Sequence, residues 1–292
     1  MNFDLSEDQR MMRESFARFF DEQSSIARVR AAQPGGFDAL MWKGLAELGA
    51  FSLRVPEALD GLGLGLMDAV VLMEEAGRRL ASGPVAETLV AARLLALCGG
   101  AEAGDILADV LAGGAIVTLA FRDTAGEPRQ WVAGGAIAHA VIARSGDEVV
   151  LVSIPESARV GEPNLASTPV AELDLSAHPR TVLGSGVAAT RLFTQAVEEW
   201  KLLISAALAG LARESLELAS AYACERKQFG QLIGTFQGIS HPLADLLCDV
   251  DGGKCLVWKS IRDIADGSAE AGPTISLATW WNIDAATRSV AQ

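Results

Sequence analysis

The stretch Tyr222-Ala223-Cys224-Glu225-Arg226-Lys227-Gln228-Phe229-Gly230, continuing to Ile233-Gly234-Thr235-Phe236-Gln237, gathers the side chains best suited to holding an anion. Arg226 offers a planar fork of donors that matches a phosphate or pyrophosphate. Phe229 adds an apolar face beside it. Gly230 and Gly234 permit sharp turns and close backbone approach. A helix starting near Thr235 would point its free N–H groups at the same place. The same residues also suit a plain helix end, because basic side chains near a helix C-terminus meet its dipole favourably. From the residues alone both readings stand.

Other charged clusters are weaker candidates. Neighbouring carboxylates on a helix point in different directions, so Glu74-Glu75 and Glu198-Glu199 are not acid–base pairs. The spacing predicts Glu74–Arg78 and Glu75–Arg79 as surface pairs. It predicts Glu198 and Glu199 as solvated charges on the first turns of a helix. Cys98, Cys224, Cys248 and Cys255 lack CxxC spacing, and His139, His178 and His241 are scattered. That pattern argues against zinc and for free cysteines in a reducing compartment.

The elements that must position these residues follow from periodicity. Residues 1–113 are helical. Ser6 and Gln9 fit a capping box, with Met12, Phe16, Phe19 and Phe20 following at helical spacing. Further helices are expected over Asp38–Leu48, Met67–Leu80 and Pro84–Cys98, with a Pro/Gly loop from Val55 to Gly65. Residues 114–190 form a small β domain. Strands are expected over Ala115–Phe121, Ala136–Ala143, Glu148–Val152 and Thr181–Leu183, with a hairpin turn at Ser145-Gly146-Asp147. Residues 191–292 are helical again. Leu202–Ala212 is apolar nearly all round, which places it at a bundle centre or a subunit interface. A helix over Thr235–Asp266 is expected to be disturbed near Gly252-Gly253, and a last one runs from Ile275.

With 292 residues, half of them hydrophobic, the chain can bury a large core. The net charge of −13 repels nucleic acid and anionic membranes, so a phosphate-bearing ligand needs a local basic site. No apolar run reaches transmembrane length, and Met1-Asn2-Phe3-Asp4 leads straight into a charged helix without a signal peptide. A cytoplasmic protein is expected.

Glu225 to Gly230, Ile233-Gly234, Phe236-Gln237, Ile239, His241 and Leu243-Ala244-Asp245 together resemble the signature of the acyl-CoA dehydrogenase family. Leu48-Gly49, Val55-Pro56-Glu57 and Gly61-Leu62-Gly63, then Glu74-Glu75-Ala76-Gly77-Arg78, resemble two further segments of it. The resemblance spans most of the chain and is weakest in the β region. It implies a mainly helical fold with a small central β domain, and FAD held across a subunit interface. It places Arg226, Gln228, Phe229 and Gln237 on the flavin, and Tyr222 and Arg226 near the acyl-CoA path. The implied activity is oxidation of an acyl-CoA thioester between Cα and Cβ in lipid metabolism, within a homo- or hetero-oligomer that passes electrons to an acceptor. The flavin carries the redox chemistry and a carboxylate takes the α-proton.

Three departures qualify this. Phe121-Arg122-Asp123-Thr124-Ala125-Gly126 keeps little of the family stretch whose backbone and hydroxyls approach the flavin. The next flavin-facing segment is not recognisable, with Trp131 standing roughly there. Trp131 can stack on a flavin or simply pack. Gln292 stands where the family's last flavin turn begins, ahead of its usual glutamate base. Counting back from Arg226 puts the alternative base position at Trp200. The missing base predicts no dehydrogenase activity for the 292 residues alone, while the apolar run Leu202–Ala212 and the trans-acting role the resemblance implies for Arg226 predict an assembly larger than a monomer. Two explanations follow besides a catalytic subunit. The chain is a fragment, or it is a non-catalytic partner that completes the FAD site of a homologous chain.

Overall fold

The computed structural model describes residues 4–291, so Gln292 lies outside it. The chain forms two compact units, one of residues 21–69 and 81–200, the other of residues 1–20, 70–80 and 201–292. It is mostly helical with a small sheet.

In the first unit, local sequence sets most elements. Helix α3 (Ala39–Glu47) begins where Asp38 accepts the N–H groups of Leu40 and Met41, both at 3.0 Å, and ends ahead of Gly49 in the left-handed region. Asp38 also takes a two-pronged bond from Arg28 at 2.8 and 2.9 Å. Burial pushes the Asp38 carboxyl up, but the Arg28 guanidinium and the two N–H groups outweigh it and hold it below the usual range. Asp38→Ala is expected to cost about 1–2 kcal/mol through the lost cap. A urea midpoint unchanged from wild type would show that this end of α3 needs no cap.

Helix α5 (Val85–Cys98) is buried on all sides from Val85 to Ala92, Glu87 and Thr88 included. Thr88 donates to the Val117 carbonyl of β1 (Val117–Leu119) at 3.2 Å. Strand β1 pairs in parallel with β3 (Ala140–Ser145), which pairs antiparallel with β4 (Glu148–Ser153), and that with β6 (Arg180–Ser185). Gly146, at φ +64°, makes the expected hairpin turn between β3 and β4. A second ladder, β2 (Arg129–Val132) with β5 (Ala171–Asp174), is not foreseen by the sequence. These strands are short and half polar, and their partners lie some forty residues apart. Each buries alternate residues: Gln130 and Val132 from one, Ala171 and Leu173 from the other. The buried Gln130 amide is satisfied by Arg122 and Glu127 backbone groups, as buried polar groups require.

In the second unit, the capping box at the start of α1 (Glu7–Gln23) forms as read. Ser6 N–H donates to Gln9 at 3.1 Å and Gln9 N–H to Ser6 at 3.2 Å. The apolar run Leu202–Ala212 is one stretch of the 40-residue α7 (Gly186–Glu225). Leu202, Leu203, Ala206, Ala209 and Ala212 are buried, and Ser205 bonds to the Lys201 carbonyl and Thr279. Part of α4 (Leu66–Arg78) crosses α7 at two glycines. A Cβ on Gly77 would overlap the Ala207 carbonyl, and one on Gly210 the Glu74 carbonyl. The buried residues of that run stand at the bundle centre.

Glu74 does not make the lengthwise pair with Arg78 that the spacing predicts, while Arg78 pairs lengthwise with Glu75 at 3.8 Å. Glu74 bonds to Lys254 at 2.9 Å, while Arg78 and Arg79 both reach Glu214 across the bundle, at 2.5 and 2.7 Å. Helix α8 (Gln237–Ala265) passes Gly252-Gly253 without a break. Those glycines admit α9 (Ala271–Ala291), whose Asn282 donates to the Gly253 carbonyl at 3.2 Å and whose Trp281 donates to the Asp249 carbonyl at 2.8 Å.

Candidate functional site

Helix α7 ends at Glu225, and a two-residue strand pair follows in place of the simple turn expected. Lys227-Gln228 pairs with Gln231-Leu232, and the Ile233 N–H closes it on the Arg226 carbonyl at 2.9 Å. Phe229 and Gly230 form the tip, both with positive φ. Phe229 pays strain for that conformation, as a bulky residue at φ +52° is a genuine outlier. Its ring is 93% exposed and meets Phe236 edge-on at 6.3 Å. Arg226, Lys227, Gln228 and Gln237 are all exposed, and among the described residues the Arg226, Gln228 and Gln237 side chains have no hydrogen-bonding partner. A free guanidinium fork, two free amides and an unpacked aromatic face are thus presented together. This donor set fits an anionic nucleotide.

Tyr222 stands one turn before the hairpin, 57% exposed. It lines a cleft of about 650 Å³ with Ile239, Pro242, Leu246 and Arg288. Arg226 is not among the lining residues, so the two candidate substrate contacts face different surroundings.

The segment that departs from the family pattern lies in the other unit, and its polar groups are already used. Thr124 gives both its N–H and its hydroxyl to the Arg144 carbonyl, each at 2.9 Å. Asp123 accepts from Gly146 and Ala125, and those N–H groups hold its carboxyl below the usual range. Phe121 stacks on Trp200, ring centres 4.2 Å apart and planes 40° apart. This segment does not fit a flavin as it stands. Trp131 points outward from β2, 58% exposed, and is not a packing residue within the chain.

Two carboxylates escaped the sequence reading. Glu199 is not a solvated charge. It is 6% exposed and takes Arg54 at 3.0 and 3.1 Å, with Arg93 on its second oxygen. Glu87 is 7% exposed and accepts the Trp200 indole N–H at 2.9 Å. Burial pushes the Glu87 carboxyl up, and the indole bond offsets this only in part. One signal for Glu87 was legible: it is the single charge in the stretch Val85–Ala92, where only Thr88 is otherwise polar.

Residues 6–113 match the acyl-CoA dehydrogenase N-terminal domain and residues 190–292 the acyl-CoA dehydrogenase C-terminal domain. The chain belongs to the acyl-CoA dehydrogenase family. The acyl-CoA dehydrogenase IpdE2 of Mycolicibacterium smegmatis is 30% identical over 268 residues, covering 91% of this chain and 80% of that protein. Among solved structures, the steroid ACAD Tcur3481-Tcur3483 superposes with a TM-score of 0.82 at 25% identity, covering 98% of this chain and 85% of the other. The ChsE4-ChsE5 complex from Mycobacterium tuberculosis gives 0.80 at 24%, covering 99% and 86%, and shares the fold. This acyl-CoA dehydrogenase family member is thus a flavoprotein of the oxidoreductase class, with FAD as its cofactor, and the order of its helices and sheet is that of the family fold. Among the described residues no helix is long and apolar enough to cross a membrane.

Proposed function

We propose that this chain is a subunit of an FAD-dependent acyl-CoA dehydrogenase and serves there as the partner that completes the FAD site of a homologous catalytic chain. Arg226, Gln228, Phe229 and Gln237 hold the flavin nucleotide of that chain, and Tyr222 and Arg226 flank its acyl-CoA. The sequence ranges 1–113, 114–190 and 191–292 serve as the three functional regions. FAD supplies the hydride acceptor for Cα–Cβ desaturation, and the electrons pass on to an electron-transfer acceptor. The setting is cytoplasmic. The single observation that carries the proposal is the outward, unpartnered Arg226 hairpin. It is supported by Trp200 at the alternative base position and by the two-chain make-up of the ChsE4-ChsE5 complex. A second reading, in which this chain itself performs the desaturation, has the buried Glu87 carboxyl in its favour.

The test is Arg226→Lys in the co-expressed assembly. Lysine keeps the charge but replaces a planar fork with a point charge. A charge-assisted bond contributes about 1.5–3 kcal/mol, so FAD affinity is expected to fall roughly ten- to hundredfold. The melting temperature of the flavin-free protein should not move, because a basic residue still meets the helix end. Unaltered FAD content would make Arg226 a helix-end residue and remove the proposal.

A further inference from the structure

The hairpin fits a flavin, whereas Phe121–Gly126 does not. We infer that this chain's own flavin position is closed by its side chains, with Glu87 fixing Trp200 against Phe121, so that the assembly carries one FAD for every two chains. The inference rests on the partner reading above and adds which residues shut the second site.

Three layers of contacts make the closure. The outer layer is the Phe121–Trp200 stack, in which both rings are half-buried. Beneath it, Glu87 reaches up from the buried helix α5 and takes the indole N–H at 2.9 Å. Burial pushes this carboxyl above its usual range, and the bond from the indole fixes the two side chains against each other. The third layer is the neighbouring turn of α7. Glu199 is gripped there by Arg54 and Arg93, and Arg54 is tied in turn to the Leu64 carbonyl at 2.9 Å. The helix therefore cannot shift to carry Trp200 away. Beside Phe121, the Thr124 hydroxyl is spent on the Arg144 carbonyl and the Asp123 carboxylate on the Gly146 N–H.

The experiment uses the co-expressed assembly, with FAD counted per chain. It adds acrylamide quenching of Trp200, read as the difference between each protein and its Trp200→Phe counterpart. One FAD per two chains is expected. Octanoyl-CoA should leave the Trp200 signal unchanged. Glu87→Gln should quench like wild type, because its amide oxygen still accepts the indole N–H. Glu87→Leu, similar in size and without an acceptor, should raise quenching several-fold. One FAD per chain, quenching of wild-type Trp200 by octanoyl-CoA, or Glu87→Leu as protected as wild type would each overturn the closure. So would loss of flavin bleaching by octanoyl-CoA in Glu87→Gln, which would make Glu87 the base of an open site. Failure of the functional reading looks different: no FAD at all, with Arg226→Lys without effect. The Trp200 signal still decides closure in that flavin-free protein.

Discussion

Glu199→Ala is expected to destabilise the protein by about 3 kcal/mol, near the lower end of the cost of breaking a buried ion pair. Glu199 is 7% exposed at its side chain and Arg54 12%, so neither is solvated when the other is lost. Removing the carboxylate leaves Arg54 buried with a single carbonyl partner, Leu64. Arg93 is 33% exposed and turns to water, which is why the upper end of the range is not expected. For a chain of this size the melting temperature should drop by roughly 6–12 °C. The control is Glu47→Ala. Glu47 pairs with Lys43 at 4.0 Å with both side chains about 70% exposed, and its loss should change stability by less than about 0.5 kcal/mol. If both variants melt within about 2 °C of wild type, the Arg54–Glu199–Arg93 cluster does not hold α7.

Gly210→Val is expected to cost at least as much, for a steric reason. The added Cβ would fall on the Glu74 carbonyl, and the backbone of α4 cannot yield without breaking its own ladder. Overpacking a tight contact costs about 1–3 kcal/mol, occasionally more, and a β-branched side chain against backbone belongs at the top of that range. The shift would also pull Glu74 from Lys254 and Arg78 from Glu214. Gly104, in the first turn of α6 (Ala101–Leu111), gives the contrast, since a Cβ there meets nothing within 4 Å. Gly104→Ala should stabilise by about 0.5–1 kcal/mol through reduced backbone entropy in the unfolded chain. A soluble Gly210→Val protein with a wild-type urea midpoint would show that α4 and α7 do not depend on this contact.

The amino-acid sequence by itself determined what depends on residues close together in the chain. The Ser6–Gln9 capping box, the start of α3 at Asp38 and the Gly146 hairpin follow from bonds made within four residues, and each was legible. Family membership was legible for a related reason: the Arg226 segment is a run of local identities. What only the tertiary structure decided involves partners far apart in sequence. Glu199 meets Arg54 across 145 positions and Glu87 meets Trp200 across 113, so spacing could not give either acid its partner. Strands β2 and β5 exist because they pair with each other, and alone they carry too few apolar residues to announce themselves. Leu202–Ala212 read equally as core or interface until Gly77 and Gly210 were seen to let α4 close over it. Local bonds are written in neighbouring letters, while burial is conferred by whatever the fold lays on top.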